Sequence, residues 1–131
     1  MAASPARFAS LDFEGFRALA RDASLSRHEK VGFPDDYREG KEDAIFRDVL
    51  AKLGALNRRS ARVLEIGPGC SDLPAMLAAH CARLRSELIF VDSAEMLALL
   101  PDAAGVRKIA GAFPQALAAE RELLAERVDA I

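Results

Sequence analysis

Val63-Leu64-Glu65-Ile66-Gly67-Pro68-Gly69-Cys70-Ser71-Asp72 is the run on which the fold turns. Residues 62–66 (RVLEI) are rich in branched apolar side chains and read as a short strand. Gly67-Pro68-Gly69 breaks that strand. Helical spacing follows from Asp72 to about Leu84, with Ser71 or Asp72 as the cap and Pro74 tolerable because it lies in the first turn. The glycines let the backbone turn sharply and let a ligand approach the main chain without meeting a Cβ. The helix start behind them offers free N–H groups and the positive end of its dipole.

The same alternation continues downstream. Residues 88–91 (LIFV) read as a second strand, and 93–100 as a helix that Pro101 stops. Residues 106–110 read as a third strand, 115–126 as a helix, and 128–131 as a fourth strand cut off as it begins. Strand–helix alternation predicts βαβ units and a parallel sheet. The expected fold is therefore α/β, a three-layer α/β/α Rossmann-like sandwich with an N-terminal helical extension and a sheet truncated at the C-terminus. Upstream, residues 1–10 read as a loose terminus, and Ser10 as the cap of a short helix reaching about Arg21. Breakers such as Gly32, Pro34 and Gly40 make 22–40 a long ordered loop, with Val31, Phe33 and Tyr37 to pack it. Ala44, Ile45, Val49, Leu50 and Leu53 mark an amphipathic helix that Gly54 closes. Residues 1–58 thus form a helical or lid segment, and 59–131 the ligand-binding part.

Composition narrows the function classes. With 51% hydrophobic and 29% charged residues, the chain has the makings of a packed core rather than of disorder. A formal net charge of −2, with no basic run beyond Arg58-Arg59, disfavours nucleic acid as a partner. No apolar stretch approaches the roughly 20 residues that span a bilayer, and Met1 to Ser10 lacks the pattern of a secretory signal. Cys70 and Cys81 fall 11 positions apart, mostly along one predicted helix; at about 1.5 Å per residue they are roughly 16 Å apart, too far for a disulfide. Neither has zinc-site spacing. These signs point to a reduced, cytoplasmic protein with no bound metal.

Which ligand suits the turn is decided by its charges. A dinucleotide site of the GxGxxG type has a third glycine where this chain has Asp72, and a carboxylate there opposes a pyrophosphate. Pro68 removes one backbone donor as well. A cationic nucleoside meets neither objection, and Glu65, at the strand's end, can accept a hydrogen bond from an ammonium group. Asp92 ends the second strand 23 residues beyond Gly69. Nucleoside binders of this architecture carry an acid about 20 residues on, where it accepts from ribose hydroxyls.

The segments VLEIGPGCSDLP (63–74), LIFVDSAEML (88–97), KIAGAFP (108–114) and VDAI (128–131) resemble motifs I to IV of the class I S-adenosylmethionine-dependent methyltransferases, in order and spacing. The resemblance implies S-adenosyl-L-methionine as cofactor, with Glu65, Gly67, Pro68 and Gly69 at its methionine part, Asp92 at the ribose, and Ser93 or Met96 on the adenine side. An acid that the family often places after its third strand is replaced by Gly111-Ala112, leaving Ala112 and Phe113 to flank the adenine ring or offer a backbone N–H. The third glycine of motif I is Ser71 here. Residues 25–42 (LSRHEKVGFPDDYREGKE) more loosely resemble bacterial methyltransferases associated with surface-polysaccharide synthesis. Methyl transfer to a small-molecule or carbohydrate acceptor is the function so implied. The alternatives are a non-catalytic binding or assembly module and an NAD(P)-linked oxidoreductase.

Other chemistry-bearing residues have plainer readings. Cys70 reads as a structural thiol, since no His is placed by sequence to activate it. His28 and Tyr37 belong either to a lid or to packing, and Arg58, Arg59 and Arg62 to a solvated face. Asp129 is either a motif IV residue near the reaction or a strand-start acid. No residue stands out as a catalytic base.

Overall fold

The computed structural model describes residues 8–121, 125 and 127–131. Helices α1 (Phe13–Arg21), α2 (Arg27–Lys30), α3 (Asp35–Arg38) and α4 (Glu42–Lys52) precede a parallel sheet. In that sheet β1 (Arg62–Ile66), β2 (Glu87–Asp92) and β3 (Val106–Ala110) lie in sequence order. Helix α5 (Asp72–Arg83) connects the first two strands, α6 (Ala94–Leu97) the next two, and α7 (Gln115–Ala118) follows β3. The chain is therefore α/β, as its alternation predicts.

The unbroken apolar run of β2 has a simple cause: the strand is central and buried on both faces. Leu88 and Phe90 point to one side and join a core with Val63, Leu77, Cys81, Met96 and Leu97. Ile89 and Val91 point to the other and pack with Leu64, Ile109 and Leu117. Helices α5 and α6 thus cover the first face and α7 the second. The N-terminal segment shares the first core, through Ala20, Leu56 and the partly buried Val31, Phe46, Val49 and Leu50.

Residues 128–131 extend the sheet on its other side. Ala130 bridges Val63 in parallel, with Leu64 N–H donating to Ala130 O at 2.9 Å and Asp129 N–H to Arg62 O at 2.8 Å. Read across the sheet, the order is β3, β2, β1 and then the C-terminal segment. Strand order reverses at β1, and open α/β sheets hold ligands at the carboxyl ends of strands beside such a reversal.

Several local expectations are corrected. Asp12, not Ser10, caps α1: its carboxylate accepts from Gly15 N–H at 2.8 Å, whereas Ser10 sits at φ 57, off the path into a helix. The stretch 22–40 is not all loop. A capping box, with Ser26 accepting from Glu29 N–H and Glu29 from Ser26 N–H, starts α2, and Pro34 precedes α3. Gly54 does not close α4; Leu53 does, donating to Val49 O, and Gly54 opens a 3₁₀ turn to Asn57. The helix expected over 93–100 keeps α geometry only to Leu97, beyond which Leu99 and Leu100 bond three residues back. The helix expected over 115–126 is continuous to Ala118, and its positions 122–124 and 126 lie outside the described residues, as do 1–7.

Candidate functional site

A cavity of about 450 Å3 opens where β1 runs into α5. Its sheet side comes from Glu65, the Gly67-Pro68-Gly69 turn, Asp92 and Met96. Its opposite side comes from the N-terminal segment: Phe13 and Phe16 of α1, then Val31, Phe33 and Arg38. Glu65 is paired in register with Phe90, and Asp92 lies two residues beyond Phe90, so both carboxylates leave the same face of the sheet.

Neither acid is comfortable there. Glu65 Oε2 is buried with no hydrogen-bond partner among the described residues. Burial first, and the Asp92 charge second, push its carboxyl up to about 7. Asp92 is raised too by burial, though less freely, because two backbone donors favour its charged form. Ser93 N–H donates to Oδ1 at 2.7 Å and Gly69 N–H to Oδ2 at 3.2 Å. Asp92 therefore holds the glycine turn as well as facing the cavity.

The two glycines of the turn do different jobs. Both have left-handed φ, 65 at Gly67 and 68 at Gly69. A Cβ on Gly69 would stand 2.5 Å from Val31 Cγ1, so this glycine lets the N-terminal segment close on the turn. Beside Gly67 nothing lies within 4 Å, and it is here that a ligand has room to reach main chain.

Most of the other expected site residues fall elsewhere. Ser93 is 1% exposed, and its hydroxyl accepts from Met96 N–H at 3.1 Å as the cap of α6. Met96 lines the cavity with a side chain that also belongs to the core. Ala112 and Phe113 are not among the lining residues, and Phe113 is half exposed. Asp72, expected to repel a phosphate, is ion-paired with Arg27 and is not among the lining residues. Asp129 lies at the other end of β1, where it accepts from Arg62 N–H at 2.9 Å and pairs with Arg127 at 2.8 Å. Four steps of about 3.3 Å each separate Arg62 from Ile66, so Asp129 belongs to strand closure and is not among the lining residues of this cavity. Cys70 is buried with its thiol raised above the ordinary value by desolvation, an inert group in contact with Arg27 O.

The sequence does not single out Phe13, Phe16 or Arg38 as lining residues. The packing residues of 22–40 were the available signal, and two of them, Val31 and Phe33, do reach the cavity. Tyr37 instead stacks on Phe33, with ring centroids 5.7 Å apart, and is largely exposed. His28 is pinned by Glu42, Nε2 to Oε1 3.2 Å. The described residues contain no cluster of three or more His, Cys, Asp or Glu that could hold a metal ion, and no helix long and apolar enough to cross a membrane. No known protein family, no curated protein and no solved structure matches this chain.

Proposed function

We propose that the cavity binds S-adenosylmethionine, and that the chain serves transfer of its methyl group to a small-molecule or carbohydrate acceptor from a Rossmann-like, methyltransferase-type sandwich. One observation carries this reading: the buried Glu65 Oε2, without a hydrogen-bond partner among the described residues, beside Asp92 in a cavity of about 450 Å3. Such a site favours a ligand that brings positive charge and hydrogen-bond donors. An ammonium group satisfies Glu65, and ribose hydroxyls suit Asp92. Gly67 leaves room for the ligand's chain, while Met96 with Phe13 and Phe16 forms an apolar wall for a purine ring.

When bound, the cofactor supplies an electrophilic methyl group on a sulfonium. The chain's part is to bind and orient, since alignment of donor and acceptor supplies much of the rate in such a displacement. A dinucleotide is the weaker fit. Its pyrophosphate would face the carboxylates of Glu65 and Asp92, with Pro68 providing no N–H, while Asp72 is ion-paired with Arg27. The same reading assigns a reducing, cytoplasmic setting, with both buried cysteines free.

Calorimetric titration with S-adenosylhomocysteine, with NAD and Asp92→Ala as controls, tests the proposal. Binding of the homocysteine compound that weakens tenfold or more in a folded Asp92→Ala protein supports it. Binding of NAD alone sinks it.

A further inference from the structure

A second cavity, of about 260 Å3, lies at the opposite end of β1 from the glycine turn, and no described residue lines both. Arg58, Arg59, Ser60 and Ala61 supply it from the turn ahead of the strand, and Arg127 and Asp129 from the segment that runs beside β1. That turn is pinned to the end of α5. Ser60, at a left-handed φ of 55, donates its N–H to Leu84 O at 2.9 Å, and Ala61 donates to the buried Ser86 Oγ at 3.0 Å. The arginines therefore stand on fixed backbone.

Three guanidinium groups and one carboxylate leave a surplus of two positive charges in the cavity. Asp129 is already engaged through both oxygens. Its Oδ2 accepts from Arg62 N–H at 2.9 Å, and its Oδ1 pairs with Arg127 Nε at 2.8 Å, which leaves the terminal nitrogens of Arg127 unspent. Arg58 Nη1 stands 4.0 Å from the same Oδ1, too far for a hydrogen bond. Arg59 has no hydrogen bond or ion pair among the described residues. Like charges gathered at one cavity repel, and a bound anion relieves that repulsion.

We infer that this cavity is a phosphate site, taking the dianionic phosphate group of a soluble small molecule. Two surplus charges match a dianion, and guanidinium forks match tetrahedral oxygens that accept from several donors at once. The Ser60 hydroxyl adds one more donor. An enclosed cavity suits a single compact group better than an extended polyanion, which wants its cations spread along a face. The inference is independent of the cofactor reading, because it uses none of the residues around the glycine turn.

Amide NMR of the folded chain, titrated with sodium phosphate against sodium chloride at constant ionic strength, tests it. Saturable shifts at Ser60, Ala61 and Arg127 are expected. Arg59→Gln should weaken phosphate binding about tenfold, the cost of one hydrogen bond to a charged group, and Arg59→Lys should recover part of the loss. Arg59 is exposed and unpaired among the described residues, so its variants should keep the fold, which the spectrum away from the cavity checks. Arg47→Gln, at an exposed arginine outside the cavity, should change nothing. Shifts that never saturate, or an equal loss in Arg47→Gln, overturn the site as general screening. Phosphatidylcholine vesicles with and without phosphatidic acid, and a single-stranded oligonucleotide, separate the sources of phosphate. Binding to either without a saturable response to free phosphate overturns the compact site in favour of a spread basic surface.

Discussion

Glu65 concentrates the conflict between folding and binding in one side chain. Burial raises its carboxyl from the ordinary 4.5 to about 7. Between those values the folded chain keeps a proton that the unfolded chain releases, so folding stability falls as pH rises through that window and levels off above it. At about 1.4 kcal/mol per pH unit the effect amounts to roughly 3 kcal/mol. Urea denaturation of wild type and Glu65→Gln should therefore diverge as pH rises from 4.5 to 7, with the glutamine variant gaining; a difference independent of pH would contradict the burial account. Ligand binding runs the other way. A cationic group beside Glu65 favours the charged carboxylate, so affinity should tighten as pH is raised through 7, with protons released on binding. The residue types of this site were legible from spacing at Glu65, Gly67, Gly69 and Asp92, because strand ends and tight turns are local features. The partners of Ser93 and Asp72 were not legible, since nothing local announces a helix cap or an ion pair 45 positions away.

The short elements of the N-terminal segment hold the cavity by charge as much as by packing. Arg17 and Arg21 of α1 both bond Glu95 in the first turn of α6, at 2.7 Å each, and keep its carboxyl far below the usual range. Arg27 of α2 reaches Asp72 in the first turn of α5. Lys30 donates to Ala20 O at 3.0 Å and Asp22 O at 2.6 Å, closing the carbonyl end of α1. The segment is thereby fastened to the first turns of both helices that follow the site strands. Glu95→Gln should lower the melting temperature by a few degrees at low salt. The gap from wild type should narrow in about 0.5 M NaCl, where exposed charges are screened within a few ångströms. Thermal melts at two salt concentrations check this, and a gap unaffected by salt would assign Glu95 to packing alone. Because Glu95 is depressed, its contribution is present above the ordinary carboxylate value and is lost as the solution is acidified below it.

Across the whole molecule, stability centres on β2. Leu88 and Ile89 are fully buried and Phe90 and Val91 nearly so, with hydrogen-bonded strands on both sides. The N-terminal segment instead joins the core at one face and relies on ion pairs that water can replace. Native-state hydrogen exchange should find the amides of β2 last to exchange, at the free energy of global unfolding, and those of α1 to α3 opening earlier. Saturating S-adenosylhomocysteine should slow the earlier group most, since that segment forms one wall of the cavity. Uniform exchange throughout would mean that segment and sheet unfold as one unit.

The parallel α/β pattern of 62–110 and the turn after β1 were readable in the chain alone, because strand runs, glycine breaks and proline stops act over a few residues. Strand order was not: nothing local in 128–131 says that it pairs with β1 on the side away from β2. The far wall of the cavity was equally hidden. Phe13, Phe16 and Arg38 meet Glu65 and Asp92 only because the N-terminal helices fold back over the glycine turn, with Val31 against Gly69. Contacts between residues so far apart in sequence depend on three-dimensional closure of the chain, which leaves no periodicity for a sequence to display.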